Sequence, residues 1–512
     1  MSNHSEDNKR IAKNTMLLYG RMGLMMIISF FTARITLEAL GVENYGINNV
    51  VGGLVSMFSL ISSSLTSSAS RFITFELGAG NKERLNRIFI TSVNIHIVLA
   101  VIVVLAIETI GIWFLNNKMV IPADRLTAAH WVLQCSVVSF VVGLLSTPYN
   151  ATILAHEKIN IYAYVSMFDA VSRLAIVFAI KYYGGDKLIL LAIISLIPIL
   201  MKRFYYWYYC KKNFEECTYH FIWDKKTYKE MFGFAGWNFI GCTAGQMKDQ
   251  GVNIAINMFH GATINAARGI AMQINGIISQ FSSNFMIAIN PQITKEYANG
   301  NNKRIHQLIS KGARLSYYLF LVISLPIFFE IEIILNIWLG QVPAHTILFT
   351  RLVIILSLIE TMSHTLITAQ LATGSIRNYQ IAVGCILLTN FPISYLLLRL
   401  GFFPEITLVV AIFISQICQC TRLFFLQNSI KLSIKTFICD VYLNVALVTF
   451  VATILPFICY TSISPGYTRL LIVCIVSIIT SCTTIFIIGC NNAERRIVKG
   501  YIQNLRNKFF RK

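Results

Sequence analysis

The sequence predicts an all-α polytopic membrane protein with about 14 transmembrane helices, in two pseudo-symmetric six-helix lobes followed by two C-terminal helices. Three observations predict this fold. Hydrophobic residues make up 55% of the 512-residue chain and charged residues 13%. Apolar runs of about 20 residues, enough to cross a ~30 Å hydrocarbon core, recur along its whole length. Basic residues are concentrated in alternate connections, and an internal repeat divides the chain.

Each apolar run is predicted to be a helix, because a backbone in lipid must satisfy its own hydrogen bonds. The predicted spans are, in order, 14–37, 46–70, 88–115, 127–153, 160–182, 188–210, 231–257, 262–289, 312–336, 346–372, 379–400, 406–428, 438–460 and 468–490. The second and eighth spans are rich in Ser, Asn and Gly. This composition favours a polar cavity or close helix contacts over contact with lipid.

The basic residues predict the orientation, since Lys and Arg are enriched in cytoplasmic loops. With the N-terminus inside, the outer loops contain only Lys118, Arg125, Lys181, Lys187, Arg399 and Arg469. Most of the others lie in the inner segments, so both termini are expected in the cytoplasm. The net charge of +20 is then explained by the basic residues of the cytoplasmic loops, and no nucleic-acid partner is expected. The basic tail 491–512 is expected to meet anionic membrane lipids.

An internal repeat at an offset of 220 residues predicts the two lobes. Residues 73–84 read ITFELGAGNKER and residues 293–304 read ITKEYANGNNKR. Gly41 and Gly261 match at the same offset. Because each repeat holds six spans, the two lobes are expected to be parallel, as in rocking transporters. The predicted domains are 1–230, the N-terminal lobe with its inner loop; 231–437, the C-terminal lobe; 438–490, two extra helices; and 491–512, a cytoplasmic tail.

The inner-loop pattern F-I-T-x-E-x-G-x-G-x-x-x-R-L, from Phe72 to Leu85, resembles polysaccharide flippases of the multidrug/oligosaccharidyl-lipid/polysaccharide exporter superfamily. The stretch Asn265 to Ala271, running on to Asn290-Pro291-Gln292-Ile293, shows the same resemblance. It implies a bacterial inner-membrane protein that moves an undecaprenyl-diphosphate-linked oligosaccharide to the outer leaflet for surface polysaccharide, O-antigen or lipopolysaccharide synthesis. The implied partners are this lipid-linked substrate, membrane lipids and the polysaccharide polymerase machinery.

Charged residues inside spans are costly and are candidates for function. We expect Arg21, Arg34, Lys248 and Arg268 to form a cationic cavity for the diphosphate. A guanidinium suits this cargo, because it stays charged and donates two parallel hydrogen bonds to phosphate. For Arg34, an ion pair with Glu38 one turn on is the alternative.

Acidic residues at membrane depth are candidates for ion coupling. These are Asp249 and the pair Glu360 and His364, which share one helix face; a buried hydrogen-bonded pair is the alternative there. Asp169 and Arg173, spaced i,i+4, are expected to form a structural ion pair. Arg351, Arg422 and Glu108 lie nearer the span ends and are expected to be paired or to snorkel.

Other functions have less support in the sequence. The twelve Cys residues show no disulfide or metal-ligand spacing, and there is no glycine-rich nucleotide loop, so no metal or cofactor is expected. A membrane glycosyltransferase or polymerase would need a nucleophile and base or catalytic carboxylates in long outer loops, and these are not visible. The chain is therefore not expected to be an enzyme. A multidrug or cation antiporter of the same superfamily and a membrane scaffold stay as alternatives.

Overall fold

The computed structural model describes residues 2–56, 58–117, 119, 121–339, 342–492, 494–496 and 500. Within the helices, the side chains of residues 2–16, 26, 27, 29, 30, 33, 34, 37, 42, 43, 49, 50, 56 and 262 are not described. The helices are α1 Ser2–Ser56, α2 Ser59–Ala79, α3 Lys82–Asn117, α4 Ala123–Ala155, α5 Ile159–Lys181, α6 Lys187–Asn213, α7 Lys225–Ala298, α8 Asn302–Leu339, α9 Thr346–Ala372, α10 Arg377–Arg399, α11 Ile406–Ile430, α12 Ile434–Ser462 and α13 Tyr467–Gly489.

The described residues form helices and short connections with no strand, as the composition predicts. Ten of these helices are long and apolar enough to cross a membrane, or up to eleven if the pair Asn44–Val55 and Ser59–Ala79, bent by 51°, counts as one span. The all-α multi-pass fold is thus confirmed. The number of 14 spans stays a prediction.

Polar side chains mark several helix starts. Asn81 accepts a hydrogen bond from the N–H of Arg84 at the start of α3. Asp186 and Asp224 do the same for the first turns of α6 and α7. Each supplies an acceptor to backbone donors that have no partner inside the helix. These caps lie in the polar connections, where the sequence places the ends of the spans.

Two predicted hairpins are bent helices without a loop. Between predicted spans 1 and 2, and again between spans 7 and 8, the helix continues through a single non-helical glycine. Gly41 has φ 75° and Gly261 has φ 77°, a conformation that costs glycine little. The two glycines are 220 residues apart, so the repeat in sequence is also a repeat in backbone geometry.

The inner turns repeat in the same way. Gly80, after α2, has φ 72°, and Gly300, after α7, has φ 70°. The N–H of Asn81 donates to the carbonyl of Glu76 at 3.3 Å, and that of Asn301 donates to the carbonyl of Glu296 at 3.1 Å. A left-handed glycine followed by this backward hydrogen bond is a common helix ending. The equivalent turns explain why Gly80-Asn81 and Gly300-Asn301 match in sequence.

The chain separates into two compact units. The first comprises residues 1–243 and 287–301, and the second residues 244–286 and 302–512. The ends of α7 therefore pack with the first unit, while its middle packs with the second. The lobe boundaries predicted at residues 230 and 437 stay a prediction.

Unit 1 is held together by α1 packed on α5, and by α4 packed on α2, α3 and α6. Its aromatic cluster lies near one end of these helices. Phe89 and Tyr149 meet edge to face with ring centroids 5.2 Å apart, and Tyr206 and Phe214 complete the cluster. The bundle buries this cluster although many other aromatic side chains of the unit are exposed, as expected for a surface that faces lipid.

Unit 2 packs the middle of α7 against α9 and α11. Small residues of α7, including Ala255, Ala267 and Ala271, are fully buried against Phe349 and Leu408. Small side chains permit close approach of membrane helices. The composition of the eighth predicted span favoured a polar cavity or close helix contacts. This part of α7 makes close helix contacts.

The two C-terminal helices dock on α8 through polar contacts at both of its ends. Near one end, Nε of Arg469 lies 3.0 Å from Glu330, whose side chain is fully buried. Toward the other end, Nη2 of Arg314 lies 3.1 Å from Glu494. The hydroxyl of Tyr317 hydrogen-bonds to Thr449 at 2.9 Å. Arg469, expected in an outer loop, is instead buried in the first turn of α13.

Candidate functional site

Four charged side chains meet in the middle of unit 2. Nζ of Lys248 lies 3.4 Å from Glu360 and 3.8 Å from Asp249. Nη2 of Arg268 lies 4.0 Å from the same Asp249 carboxylate, and its Nη1 donates to the amide oxygen of Asn253. The kink at Gly261 is what brings Lys248 and Arg268, both on α7, to one place. We call these four charged residues the charge cluster.

The two signs of charge differ in burial within the charge cluster. The side chains of Lys248 and Arg268 are 12% and 4% exposed, whereas those of Glu360 and Asp249 are 41% and 43% exposed. Buried cations in apolar helices require partners, which the two carboxylates supply. The carboxylates are the members that solvent or a ligand reaches first.

Arg268 has hydrogen-bonding capacity left over. Its Nε is buried and has no acceptor among the described residues. Its Nη2 is too far from Asp249 for a hydrogen bond. The Nε–Nη2 edge is the one that binds phosphate or carboxylate through two parallel hydrogen bonds. Arg268 is therefore held by Asn253 on one side while the edge suited to phosphate is unfilled.

His364 follows Glu360 by one turn, but α9 is interrupted between them at Met362. Arg422 of α11 reaches this break and donates to Ser363 Oγ at 3.1 Å and to the Tyr379 hydroxyl at 3.4 Å. It is buried and has no carboxylate partner among the described residues. Arg422, which we expected near a span end, is thus a further buried cation of unit 2.

In unit 1, Arg21 is buried on α1 and faces α5. Its Nη1 donates to Ser166 Oγ at 3.1 Å, and the guanidinium lies 5.0 Å from the ring centroid of Tyr162. Desolvated contacts of this kind stabilise a guanidinium by a cation–π attraction. Arg34 lies outside the residues whose side chains the structure describes. Glu38, its expected alternative partner, contacts Lys181 at 2.9 Å.

A polar cavity of about 240 Å³ opens in unit 1. Its lining combines hydroxyl, amide and cationic groups from α1, α4, α5 and α6 with a few apolar residues. The polar members are Thr32, Thr36, Asn48, Ser136, Ser139, Arg173 and Ser195. Arg173 forms the expected ion pair with Asp169 at 3.2 Å, yet its side chain is 61% exposed. Such a lining offers donors and acceptors for sugar hydroxyls together with one cation.

The inner ends of unit 1 are joined by a buried carboxylate. Glu157 follows α4 and accepts from Lys295 at 2.8 Å and from Gln292 at 3.2 Å, both on α7. It has φ 58°, a left-handed conformation that costs a non-glycine residue about 1 kcal/mol or more. Glu157 lies two residues after the end of α4, and two residues after the end of α9 the chain has Gly374, with φ 75°. The ion pair with Lys295 offsets the backbone strain at Glu157, a strain that Gly374 does not have.

The adjacent His156 contacts Glu216 at 2.6 Å, outside the membrane-spanning helices. Burial alone raises the pKa of the Glu216 carboxyl. The hydrogen bonds that the carboxylate accepts from His156 and from a backbone N–H, together with the charges of His156 and Lys82, outweigh burial, and the pKa of Glu216 lies below its ordinary value. This contact connects the end of α4 to the short segment Glu215–Cys217.

The structure brings together residues for which the sequence predicted separate roles. Lys248 and Arg268 are expected in the cationic site. Their partners in the structure are Asp249 and Glu360, which are expected in ion coupling. Arg21 lies in the other unit. The polar cavity was not predicted from the sequence. The signal that could have indicated it is the presence of Ser and Thr residues within the apolar runs.

Comparison with known proteins identifies the family. The family described as "Polysaccharide biosynthesis protein" matches residues 11–296, which is more than half of the chain. The chain belongs to this family. The match covers most of the first unit, α7 as far as residue 296, and both sequence motifs quoted above.

One curated relative of this family member is "Uncharacterized membrane protein EpsK" of Bacillus subtilis (strain 168). It is 18% identical over 318 residues, which cover 62% of this chain and 63% of the relative. The alignment thus spans less than two thirds of the relative's length.

Solved structures with the same fold are transporters. An outward-facing multidrug resistance MATE family transporter of the MOP superfamily matches with a TM-score of 0.71, 11% identity and coverage of 83% of this chain and 96% of that one. A MOP superfamily transporter from Pyrococcus furiosus matches with a TM-score of 0.69, 11% identity and the same coverages. The chain therefore has the same fold as these two transporters.

Proposed function

We propose that this family member is a flippase that moves an undecaprenyl-diphosphate-linked oligosaccharide from the inner to the outer leaflet of the bacterial inner membrane, by alternating access. The observation that carries the proposal is the charge cluster. Two buried cations of α7 each lie beside a carboxylate that is about two-fifths exposed. A site of this kind exchanges one anionic partner for another.

In the empty state, Asp249 and Glu360 neutralise Lys248 and Arg268. When the substrate arrives, its diphosphate takes the place of the carboxylates. The Nε–Nη2 edge of Arg268 binds two phosphate oxygens, which Asp249 at 4.0 Å does not. Lys248 supplies a second, point-like charge. Because the carboxylates compensate the cations in the absence of cargo, the empty transporter avoids leaving buried charges without partners.

Unit 1 by itself has a polar surface that is suited to sugars. The polar cavity presents hydroxyls and one amide for sugar hydroxyls, and Arg173 for an acidic sugar or a phosphate oxygen. Arg21 and Arg34 of α1 are the cations that unit 1 offers to an anionic group in the proposal. The lipid tail stays in the bilayer, and the flipped product passes to the polymerase machinery of surface polysaccharide, O-antigen or lipopolysaccharide synthesis.

The charge of the cargo supplies a driving force. Outward movement of a dianionic head, away from a negative interior, is favoured by ~2.3 kcal/mol per charge per 100 mV, or about 4.6 kcal/mol for two charges across the full field. Protonation of Asp249 or Glu360 supplies a second driving force. A neutral carboxyl no longer pairs with Lys248 or Arg268, which is then able to bind the diphosphate. His364, one turn from Glu360, is the proposed relay for that proton.

The test is flipping of a fluorescent polyprenyl-diphosphate oligosaccharide in proteoliposomes. Arg268→Ala is expected to lower the initial rate at least tenfold, and Arg268→Lys to retain part of it, because lysine keeps the charge and loses the bidentate geometry. Arg87→Ala, which removes a surface cation paired with Glu83, serves as the control and is expected to flip at the wild-type rate. Wild-type flipping by Arg268→Ala would refute the proposed role of the charge cluster.

A cation antiporter is the second candidate. Asp249 and Glu360 are exposed enough to bind a cation, and the MATE-type fold is shared with multidrug resistance transporters. The Pyrococcus furiosus relative in fold is described as having a binding pocket of reverse polarity that suggests a different function. Uptake of a fluorescent organic cation by the same proteoliposomes distinguishes the two. Transport of the cation together with failure to flip the lipid would favour the antiporter.

A further inference from the structure

A larger cavity, of about 630 Å³, lies at the N-terminal end of α8 in unit 2. Its volume falls in the range of roughly 300–1,000 Å³ that is usual for small-molecule sites. It is lined by the first turns of α8, by the connection from α11 to α12 and by the start of α12. The lining residues are Lys303, His306, Gln307, Ser310, Lys311, Arg314, Lys431, Leu432, Ser433, Thr436, Phe437, Asp440 and Asn491.

The charge of this cavity is positive and largely uncompensated. Arg314 is neutralised by Glu494 at 3.1 Å. Lys303, Lys311 and Lys431 have no ion-pair partner among the described residues. Asp440 is the acidic residue of the described lining. A concave surface with three free ammonium groups attracts anions more strongly than isolated surface lysines do.

The position of Lys431 in this cavity is fixed by specific contacts. Lys431 ends α11 in a left-handed conformation, with φ 55°, which is uncommon for a non-glycine residue. His306 of α8 hydrogen-bonds through Nε2 to the carbonyl of Ile430 at 2.9 Å. A carbonyl only accepts, so Nε2 carries the proton and the connection is tied to α8. Lys431 is therefore held on the rim of the cavity by its own backbone and by a neighbouring helix.

Hydroxyl donors complete the polar part of the lining. Ser433 Oγ accepts from the N–H of Thr436 at 3.3 Å and from the hydroxyl of Thr436 at 3.0 Å. Because both of these bonds use Ser433 as the acceptor, its own hydroxyl proton is left to donate to a ligand. Ser310 adds a second hydroxyl. Ammonium and hydroxyl donors together suit phosphate oxygens.

The cavity also has apolar lining residues. Leu432 and Phe437 line it and are 3% and 1% exposed. The cavity lies where α8, α11 and α12 end, at the face that the basic residues predict to be cytoplasmic. A ligand there meets both lysines and apolar side chains, as a lipid headgroup does at a membrane surface.

We propose that this cavity is a binding site for the phosphate groups of an anionic membrane lipid in the inner leaflet. Basic pockets at the cytoplasmic ends of membrane helices bind such headgroups. The site is separate in position from the charge cluster and does not depend on what the chain transports. Its lipid bridges α8, the helix on which the C-terminal pair docks, to the connection that begins this pair.

The experiment measures lipid retention by the purified full-length protein with native mass spectrometry, at graded concentrations of cardiolipin or phosphatidylcholine. The probe variant is Lys303→Gln/Lys311→Gln/Lys431→Gln. Affinity for cardiolipin is expected to fall at least tenfold, since each lysine near an anionic lipid contributes a factor of about five. Binding of phosphatidylcholine should not change. Folding is expected to survive, because no described ion pair is removed, and gel filtration checks this.

The matched control is Lys225→Gln/Lys226→Gln/Lys229→Gln, which removes the same charge from exposed positions at the start of α7. It should keep wild-type affinity for cardiolipin. An equal loss in both triple variants would show that general charge attraction is sufficient and would overturn the site. Inorganic pyrophosphate is the second arm. If it bound with the same dependence on the three lysines while cardiolipin did not, the lipid assignment would be wrong.

Discussion

The ion pair between Glu330 and Arg469 gives the sharpest test of how the C-terminal helices are held. Glu330 is fully buried at a break in α8, with ψ 19°, four residues after Pro326. The Nη2 of Arg469 donates to its second carboxylate oxygen at 3.2 Å. The guanidinium also lies 4.5 Å from the ring centroid of Tyr460. The perturbation is Glu330→Gln, which keeps the shape and removes the charge.

The size of the effect follows from burial. The side chain of Arg469 is 7% exposed, so the variant leaves a cation that has neither a counter-ion nor water. Loss of one partner of a buried pair typically costs about 3–5 kcal/mol. The contact with Tyr460 offsets part of this cost, by about 0.5–2 kcal/mol. We therefore expect Glu330→Gln to lower the free energy of unfolding by roughly 1–4.5 kcal/mol.

The assay is reversible unfolding of the purified protein in mixed micelles with increasing SDS, followed by tryptophan fluorescence. The double variant Glu330→Leu/Arg469→Met removes both charges and is expected to recover most of the loss, because replacing a whole buried pair by apolar residues is often neutral. Glu215→Gln, which breaks a fully exposed pair with Lys82, is the control and should show no measurable change. A loss below about 1 kcal/mol in Glu330→Gln, or additive losses in the double variant, would refute this reasoning.

Two further predictions concern unit 1. A Cβ added at Gly78 would lie 2.8 Å from the Cα of Lys295, so Gly78→Ala should destabilise the protein by about 1–3 kcal/mol in the same unfolding assay; Gly143→Ala, with no neighbour within 4 Å, should instead be neutral or gain up to about 1 kcal/mol. The pKa of Glu216 is lowered in the folded state, so its contribution is complete above its ordinary pKa of about 4.3 and is lost as pH falls through the lower folded value. Glu216→Gln should therefore flatten the loss of stability below about pH 4, and an unchanged pH profile would contradict the role given to its contact with His156.

The sequence by itself determined the class of the fold. Long apolar runs leave helices as the structure that satisfies the backbone in lipid, and this depends on composition alone. The repeat predicted that Gly41 and Gly261 are equivalent, and both have the same left-handed φ. It also predicted the matching inner turns at Gly80 and Gly300. These features are local, because a turn that needs a positive φ selects glycine whatever surrounds it.

Only the tertiary structure decided which charges meet. Nothing near Lys248 in sequence indicates that Glu360, 112 residues away, is its partner. The hydroxyls of the polar cavity lie on several helices and converge only when these helices pack. Arg469 looked like an outer-loop residue until α13 placed it against Glu330. Hydropathy reports the environment of a stretch averaged over a window, whereas an ion pair depends on the rotation and contacts of two helices, which packing sets.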